Sequence, residues 1–417
     1  MAKTLTQPEV AERVALHTKL RIVMALENNR YPQDPRVRKE AETLAADGHD
    51  VLVLAPRGAK QPRVETVNGV RVKRYRLPTA SSALGLVLEY LVYGLQLTSL
   101  LAAELLRGAE AVHLHNPPDT LFGVGALARA MGRIVIFDHH DLAPELFEQK
   151  YGQGAAGAVL LRWCERMTMR VASVVVSANE SHRRVALERG RVDPARIVVV
   201  RNAPPAHTLA AESSERAGVL ADPRLCYVGS LSSQDGVRIL PEILSRLGAG
   251  GLRPTLSLVG DGPELPTIKR LAQEHGVLEQ IDFMGWVRYD RVPRILEEAD
   301  ICLDVAPCTP LNHRSTMIKI GEYMAAGKPI VTFPLEETRH TAADCALYAA
   351  CDDVDDYCAV IASLCANERL RARLGPSALE RAQGMTWERS AERLRAAYAM
   401  ASAPAPRARA GISSGLG

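Results

Sequence analysis

The sequence lacks a strong net charge and a continuous apolar segment at its N-terminus. Its 417 residues carry 51 Lys and Arg against 48 Asp and Glu, a formal net charge of +3. This balance gives no reason to expect a nucleic-acid partner. The first twenty residues contain no continuous hydrophobic region, so we expect no secretory signal peptide and predict a cytoplasmic protein.

The cysteines also lack the spacing that metal sites need. None of them forms a C-x-x-C pair, and none has a His neighbour at metal-ligand spacing. Most of them lie within apolar segments, which is typical of reduced thiols buried in a core. We therefore predict reduced thiols and no metal centre. The cysteines are residues 164, 226, 302, 308, 345, 351, 358 and 365.

Positive charge is concentrated in the first half of the chain. Between Arg57 and Arg76 there are seven Lys and Arg against one Glu, and between Arg162 and Arg201 there are nine Arg against four acids. We therefore expect the first half to meet an anionic acceptor or an anionic membrane surface.

One long apolar stretch, residues 83–106, reads as a helix. Glu89 falls on the same helical stripe as Tyr93 and Gln96, and a helix spanning lipid would not carry an unpartnered Glu. We favour a core helix, and a helix lying on a membrane surface is the alternative.

Short β-branched segments alternate with helical patterns along nearly the whole chain, which is typical of parallel sheets flanked by helices. The first predicted strand, Leu20 to Leu26, is followed by a helix with Asp34 as N-cap, Pro35 at its first position and Gly48 past its end. The pattern is interrupted between Ala203 and Pro223, where Ala, Pro, Ser and charged residues indicate a linker.

The alternation restarts after this linker, so we predict an α/β protein with two Rossmann-like parallel-sheet domains facing across a cleft. The predicted domains are residues 1–204 and 205–385. Residues 386–401 are expected to form a helix that packs back toward the N-terminal domain, and residues 402–417 to be disordered. Ligands of open α/β sheets bind at the carboxyl ends of the strands, so the chemistry is sought in the strand-to-helix loops.

Three loops of the second half could bind a phosphate. Gly229 follows one predicted strand and Gly260 and Gly262 follow the next, where glycine lets backbone N–H groups approach a ligand, although a plain tight turn is as good an explanation. In the third loop we predict that Ser315 and Thr316 begin a helix. That helix carries Lys319 and Glu322 on one face, a suitable cradle for a diphosphate.

Two loops of the first half are rich in histidine and acids, residues 113–119 and 137–145. A metal site, structural histidines, and hydrogen-bonding or proton-handling histidines in the cleft are the three interpretations. Helical H-x-x-x-H spacing is absent. We favour the third interpretation because both loops follow strands at the edge where ligands bind.

Together these loops resemble the retaining glycosyltransferases of family 4, which have the GT-B fold. The resemblance extends over residues 20–400 and includes seven motifs in the family's order. It is strongest to the subgroup that builds bacterial capsule, exopolysaccharide or O-antigen chains. The motifs read DPRVRKEAETLAADGHDVLVLAP, HLHNPPD, FDHHDLAPE, YVGSL, LVGDGPE, IDFMGWV and EYMAAGKPIV.

The resemblance implies roles for particular residues. Glu322 matches the second Glu of the family's E-x7-E motif, which contacts the donor ribose, and His140 matches the first-domain His near the donor sugar and diphosphate. Lys319 is predicted to join them as a catalytic residue. The implied donor-binding residues are Gly229, Ser230, Gly260, Asp261, Gly262, Arg314, Ser315, Thr316, Met317 and Ile318. The implied acceptor-side residues are Asp34, Arg36, His115, Asn116, Asp119 and Asp141.

The chain departs from the family pattern at the charged positions. Arg314 stands where the first Glu of E-x7-E is expected, and Ser230 and Asp235 stand where the family has a phosphate-binding Arg and Lys. The leaving diphosphate must still be neutralised, and the resemblance implies that no metal cofactor does this. We therefore hypothesise that Lys319, with Arg314 and the amides at residues 315–316, replaces the missing cations.

The resemblance implies transfer of a sugar from a nucleoside diphosphate sugar to a hydroxyl acceptor, with retention of configuration. The N-terminal domain would bind the acceptor, such as a polyprenyl-diphosphate-linked saccharide at the inner face of the membrane, and the C-terminal domain would bind the donor. The alternatives are a non-catalytic nucleotide-sugar-binding protein, a nucleotide-sugar epimerase of the same fold and a natural-product glycosyltransferase.

Overall fold

The computed structural model describes residues 19–27, 29–58, 61–76, 83–117, 119–152, 154 and 156–403. The N-terminal segment for which no signal peptide was predicted, and the predicted tail beyond residue 403, lie outside the described residues. The described chain forms two parallel α/β sheets, as predicted from the alternation of strands and helices.

The first sheet has eight strands in the order β3-β4-β2-β1-β5-β6-β7-β8. Its strands are β1 (Arg21–Ala25), β2 (Asp50–Pro56), β3 (Val64–Val67), β4 (Val70–Tyr75), β5 (Ala111–His115), β6 (Ile134–His139), β7 (Val174–Ser177) and β8 (Ile197–Val199). All pairs are parallel except the β3–β4 hairpin, which turns at Asn68 and Gly69 as the sequence predicted.

Six helices connect these strands: α1 (Pro35–Ala46), α2 (Ala83–Leu106), α3 (Phe122–Ala130), α4 (Ala143–Tyr151), α5 (Ala156–Val171) and α6 (Glu180–Glu188). The predicted boundary residues of α1 are confirmed. The Asp34 side chain accepts hydrogen bonds from the N–H groups of Arg36 and Val37, and Gly48 follows the helix end with φ +91°.

The second sheet has six parallel strands in the order β11-β10-β9-β12-β13-β14. Its strands are β9 (Arg224–Val228), β10 (Thr255–Val259), β11 (Ile281–Gly285), β12 (Ile301–Leu303), β13 (Ile330–Thr332) and β14 (Ala346–Tyr348). The helices that accompany it are α7 (Leu240–Ala249), α8 (Leu265–Glu274), α9 (Val292–Glu298), α10 (Pro310–Arg314), α11 (Ile318–Ala325), α12 (Glu336–Ala342), α13 (Val354–Ala366) and α14 (Glu368–Gln383).

The last helix, α15 (Trp387–Ser402), packs on the first sheet rather than the second. Trp387, Leu394 and Tyr398 are buried in the same core cluster as strands β1 and β2. The indole N–H of Trp387 donates to the hydroxyl of Thr43 on α1 at 3.0 Å. The chain therefore crosses between the domains twice, so that they are linked by two segments.

Helix α2 contributes Leu97, Leu101 and Leu105 to the first core, as the core-helix interpretation predicted. None of the described helices has the length and apolar character needed to cross a membrane.

The prediction that all cysteines are reduced is wrong for one pair. Cys308 and Cys351 form a disulfide with a Cα–Cα distance of 5.7 Å. They follow β12 and β14, so the carboxyl edge of the sheet brings together two residues separated by 43 positions, a pairing that sequence spacing does not reveal. Five of the other cysteines are buried thiols, as predicted, and Cys358 is half-buried.

Candidate active site

The glycine loops of the second domain pack tightly against one another. A Cβ atom on Gly260 would lie 1.8 Å from the carbonyl oxygen of Gly229, and one on Gly262 would lie 2.4 Å from the carbonyl oxygen of Leu231. The Gly229 N–H donates to Val259, and the Gly260 N–H to the carbonyl of β11's last residue. These two amides are therefore engaged within the protein, and the glycines permit close packing of the loops.

The ammonium group of Lys319 is the centre of a buried cluster beside these loops, which we call the Lys319 cluster: Lys319, Asp235, Asp304 and Tyr227. Lys319 Nζ donates to the Tyr227 hydroxyl and to Asp235 Oδ1, both at 3.0 Å, and lies 3.4 Å from Asp304 Oδ1. Burial alone lowers the pKa of Lys319, but Tyr227 and the two carboxylates outweigh it and raise that pKa. Lys319 is therefore protonated and already matched by two negative charges.

Glu322 lies one helical turn after Lys319 on α11, on the side of the cleft. Burial raises the pKa of Glu322. Lys39 of the first domain, Lys319 and a hydrogen bond with Tyr289 act in the opposite direction and lower that pKa, but burial outweighs them. Lys39 also donates to the carbonyl of Ala203 at 2.7 Å, and burial lowers its pKa to about 8. Glu322 thus interacts with Lys39 of the first domain and with Tyr289 of the second.

The loop before α11 differs from the prediction. The helix begins at Ile318 with Met317 as its N-cap, not at Ser315. Ser315 closes the preceding helix, because its N–H donates to the carbonyl of Asn312 and its hydroxyl to that of Leu311. The Ser315 amide is therefore not part of a helix N-terminus facing a phosphate.

Thr316 and Arg314 contact the first domain across the cleft. The Asn179 side chain donates to the Thr316 hydroxyl at 2.9 Å and to the Arg314 carbonyl at 2.8 Å. The Arg314 guanidinium donates to Glu145 at 3.0 Å, and Glu145 is also bound by Arg189 at 2.9 Å. The residue that stands in place of the first Glu of E-x7-E therefore forms an ion pair between the domains.

On the first-domain side, the carboxylate of Asp138 is the centre of a second buried cluster, which we call the Asp138 cluster: Asp138, Arg36, His115 and His140. Arg36 donates to both carboxylate oxygens at 2.7 Å, and the Nδ1 atoms of His115 and His140 lie 3.0 and 3.2 Å from Oδ2. Burial alone would raise the pKa of Asp138, but Arg36 and His140 hold it well below its usual range.

His140 is the member of the Asp138 cluster nearest the solvent, with 11% of its side chain exposed. Burial opposes its protonation, but Asp138 raises the pKa of His140 to about 9. His140 is therefore a cation at neutral pH. The pKa of His115 is lowered by burial, which keeps that imidazole neutral despite its bond to Asp138.

Asn116 fixes the loop that carries His140. Its side-chain oxygen accepts from the N–H groups of His140 at 2.8 Å and Asp141 at 3.1 Å, and its amide nitrogen donates to the Asp141 carbonyl at 2.6 Å. The same nitrogen donates to Asp119 at 3.2 Å. Asn116 is fully buried, so it orients the loop rather than presenting itself to an acceptor.

Several predicted acceptor-side residues are buried beneath the cleft. Arg36, His115 and Asp119 are at most 3% exposed. Asp34 is the buried N-cap of α1, and the Arg36 guanidinium also donates to the carbonyl of Val200 at 2.8 Å. The structure therefore gives these residues a supporting position. Asp141 is half-buried, with a pKa raised by burial.

Four of these buried side chains have metal-ligating atoms close together: Glu40, His113, His115 and Asp138. A divalent cation among them would lie beside the Arg36 guanidinium, which is 3.3 Å from Glu40, and near the imidazolium of His140. Burial raises the pKa of Glu40 to about 8. Because an uncompensated buried charge is costly, we assign no metal to this group.

Comparison with known proteins agrees with this architecture. A model described as "Glycosyl transferase 4-like domain" matches residues 33–203, and one described as "Glycosyl transferases group 1" matches residues 222–367. The chain belongs to the family-4-like glycosyltransferases. The first matched range contains strands β2 to β8 of the first sheet and the second contains the whole second sheet, so both halves of the site belong to family domains.

Individual relatives of this glycosyltransferase are distant. It is 25% identical over 179 residues to the alpha-D-kanosaminyltransferase of Streptomyces kanamyceticus, covering 41% of this chain and 45% of the relative. It is 23% identical over 195 residues to a subunit of the phosphatidylinositol N-acetylglucosaminyltransferase of Schizosaccharomyces pombe, covering 46% of this chain and 41% of that one. The matches thus span less than half the length of these curated relatives.

Solved structures share the GT-B fold of this glycosyltransferase. A sucrose-phosphate synthase from Thermosynechococcus elongatus superposes with a TM-score of 0.70 at 17% identity, covering 90% of this chain and 97% of that one. WaaG, a glycosyltransferase involved in lipopolysaccharide biosynthesis, has a TM-score of 0.67 at 18% identity over 90% of this chain and 98% of its own. A protein from Anabaena, crystallised with UDP-glucose, has a TM-score of 0.66 at 15% identity, covering 90% and 98%.

The structure also brings into this glycosyltransferase's site residues that the motifs did not assign. Asp138 stands in a quoted motif two residues before the predicted His140 and close to the end of β6, so its position at a strand end was the available signal. Asp304 likewise directly follows a strand, β12. Tyr289 and Glu145 carry no comparable signal, because their partners Glu322 and Arg314 are distant in the sequence.

Proposed function

We propose that this protein transfers a sugar from a nucleoside diphosphate sugar to a hydroxyl group, with retention of configuration. The observation that carries the proposal is that polar clusters at the carboxyl ends of both parallel sheets meet at one interdomain cleft, bridged by Arg314 and Glu145. Neighbours of the same fold were crystallised with UDP, UDP-glucose or UDP-2-fluoro glucose, which supports a nucleotide-sugar donor.

Under this proposal the second domain binds the donor nucleotide. Glu322, held near Tyr289 and Lys39, is suited to accept hydrogen bonds from ribose hydroxyls, because an ionised carboxylate accepts from two neighbouring donors. The tight packing of the loops at Gly229 and Gly260 fixes the floor of this pocket. Ser230 and Asp261 lie in the same loops, and we assign them to the donor side.

The first domain supplies the positive charge that the leaving diphosphate needs. The Asp138 cluster carries two positive charges, on Arg36 and His140, against the carboxylate of Asp138, while Glu40 beside Arg36 has a pKa raised to about 8 by burial. The Lys319 cluster carries one ammonium against two carboxylates. We therefore assign to His140 the role of hydrogen-bond donor to the departing diphosphate, with the acceptor proton passing to a diphosphate oxygen.

We replace the predicted role of Lys319 as the substitute cation with a different one. Because two carboxylates already compensate its charge, Lys319 would act by holding the loops around Asp235 and Asp304 in place. Lys319 is on this account a positioning residue.

A second candidate function is transfer onto a small natural product. It is favoured by the relatives named 2-deoxystreptamine glucosyltransferase, from Streptomyces kanamyceticus, and 2-deoxystreptamine N-acetyl-D-glucosaminyltransferase, from Streptomyces fradiae. The two candidates share the donor chemistry and differ in the acceptor.

The proposal is tested first by a thermal-shift panel of nucleoside diphosphates and nucleotide sugars. A ligand at about 100 times its dissociation constant adds about 2.7 kcal/mol to the free energy of unfolding. The nucleotide sugar that binds is then incubated with lipid-linked saccharides, aminocyclitols or water, and the products are followed by NMR. Acceptor-dependent release of nucleoside diphosphate, with the donor's anomeric configuration kept in the product, is the expected result.

Other outcomes contradict the proposal. An altered sugar still attached to the nucleotide, without any acceptor, identifies an epimerase. Binding without turnover on any acceptor or water identifies a non-catalytic nucleotide-sugar-binding protein, and an inverted product contradicts retention.

A further inference from the structure

A basic cavity of about 300 Å³ lies in the first domain, at the carboxyl ends of its outer strands. Arg57 follows β2 and Arg76 follows β4, at the outer strands of the sheet. Three strand positions separate β2 from β6, the strand that His140 follows, and at about 4.8 Å per strand this is about 14 Å. The described residues that line the cavity are Arg57, Arg63, Lys73, Arg74, Tyr75, Arg76, Gln96 and Leu100.

Five of these eight residues are Arg or Lys and none is acidic. Lys73 forms an ion pair with Glu104 at 3.1 Å, and the buried Arg74 pairs with Glu65. Within the described part of the chain, no ion pair involves Arg57, Arg63 or Arg76. The cavity therefore gathers positive charge that neighbouring acids do not balance.

The deepest of these cations has an unused donor. The Arg74 side chain is fully buried, and its Nη atoms donate to the carbonyls of Pro62 and Tyr31 at 3.1 Å. Its buried Nε has no hydrogen-bond partner among the described residues. A buried guanidinium with an unpartnered N–H donor, close to exposed arginines, is suited to bind an anion that has several oxygen acceptors.

Exposed aliphatic side chains lie beside this cavity on helix α2. Leu95 and Leu106 are 70% and 82% exposed, and Val92 is partly exposed. Leu95 and Leu106 are eleven residues apart, about three helical turns, and so lie on one stripe. Gln96 and Leu100 of the same helix line the cavity. Gln96 and Leu100 point about 100–140° around the helix from Leu95, so the exposed aliphatic stripe and the cavity lie on adjoining sides of α2.

We propose that this side of the first domain docks on a membrane and that the cavity binds the phosphate of an anionic lipid. This inference rests on the proposed function, because it places a membrane lipid at the acceptor-binding domain. The exposed aliphatic stripe of α2 favours a lipid over a soluble phosphate, because a soluble phosphate would not bury this apolar surface. Arg57, Arg63 and Arg76, which no neighbouring acid balances among the described residues, would repel a cationic aminocyclitol, so the cavity also favours an anionic acceptor.

The test is flotation of the full chain with vesicles of phosphatidylcholine alone or with 30 mol% phosphatidylglycerol added, at low and high salt. The Arg63→Glu/Arg76→Glu variant changes two exposed cavity residues. Its matched control, Arg369→Glu/Arg373→Glu, makes the same charge change at exposed positions of α14. We expect salt-sensitive binding to the anionic vesicles only, weakened about thirtyfold or more by the cavity variant and threefold or less by the control.

A second comparison separates a lipid from a soluble phosphate. Leu95→Asn removes an exposed apolar contact without changing charge, and we expect it to weaken vesicle binding several-fold while leaving pyrophosphate binding unchanged. Absence of vesicle binding, equal losses in the cavity variant and its control, or pyrophosphate binding without vesicle binding would each overturn the proposal. Nucleotide binding is measured in parallel, so that the failure of this inference is distinguishable from failure of the proposed transferase function.

Discussion

The Asp138 cluster and the Lys319 cluster have opposite arrangements of charge. In the first domain a carboxylate is held between Arg36 and the imidazolium of His140. In the second domain an ammonium is held between Asp235 and Asp304. With the pKa of the neighbouring Glu40 raised to about 8 by burial, the first cluster has excess positive charge near neutral pH and the second has excess negative charge, so we expect a diphosphate on the side of the first domain.

This difference indicates which charges are available to a ligand. The carboxylates around Lys319 leave its ammonium with little net attraction for an anion, whereas His140 lies at the edge of its cluster with a raised pKa of about 9. The sequence favoured Lys319 because the chain lacks the phosphate-binding cations of the family and Lys319 follows Ser315 and Thr316 on the next helix. Four predictions test the comparison.

The largest effect is expected from Lys319→Met. This change leaves the buried carboxylate of Asp304 and its neighbour Asp235 uncompensated, and breaking a buried ion pair costs about 3–5 kcal/mol. Urea unfolding measures the loss. Adding Asp304→Asn to Lys319→Met removes one of the repelling charges and is expected to recover part of the stability. A stable single variant with unchanged midpoint would show that Lys319 has no structural role.

The next largest effect is expected from Asp138→Asn, measured in a Glu40→Gln background because Glu40 also titrates near pH 8. The folded-state pKa of His140 is raised, so its contribution to stability is complete below pH 6.5 and is lost as pH rises through about 9. Removing the carboxylate of Asp138 should flatten this pH dependence and lower stability at pH 7 by about 2 kcal/mol. Urea unfolding at pH 6, 7.5 and 9 measures the free energy of unfolding and its pH dependence with and without the Asp138 carboxylate. An equal pH dependence in the two proteins would show that Asp138 does not raise the pKa of His140.

A smaller effect is expected from Gly260→Ala in the loops beside Lys319. Both Gly260 and Gly251 have positive φ, but an added Cβ at Gly260 meets the carbonyl of Gly229, whereas one at Gly251 meets nothing within 4 Å. Overpacking costs about 1–3 kcal/mol beyond the shared backbone strain. Thermal unfolding of the two variants gives this difference directly, and equal losses would show that the loops do not pack as described.

The smallest effect is expected at the contact between the domains. Arg314 is partly exposed, so its pair with Glu145 should contribute only about 0.5–1 kcal/mol. A double-mutant cycle with Arg314→Met and Glu145→Gln measures the coupling from urea unfolding and from donor affinity. A coupling energy of zero in both the unfolding and the affinity measurements would show that this pair does not help to hold the two domains together.

The sequence predicted the two sheets, the linker and the helix boundaries of α1 because these depend on local periodicity and capping. It also predicted that Lys319 and Glu322 lie on one helix near a strand edge. Arg36, Val37 and Ala41 lie on the buried side of α1. Their i, i+1, i+5 spacing indicated that Arg36 would be buried with them rather than reach an acceptor.

The partners of the site residues could not be predicted in the same way. Tyr227 and Asp235 contact Lys319 from 92 and 84 positions away, and Asn179 reaches Thr316 from 137 positions away. These contacts depend on the strand order and on how the two domains meet, which local patterns do not specify. The charge balance around Lys319 therefore could not be predicted from the sequence and is seen only in the structure.

The most direct test of the central claim compares nucleoside diphosphate affinity in the wild type and His140→Gln by calorimetry between pH 7 and 10. The ratio of the two dissociation constants at each pH cancels the titration of the ligand itself. If the imidazolium of His140 binds the diphosphate, the ratio is about tenfold or more at pH 7 and approaches one as pH rises past about 9. A ratio near one at pH 7, or one that stays constant with pH, would contradict the account.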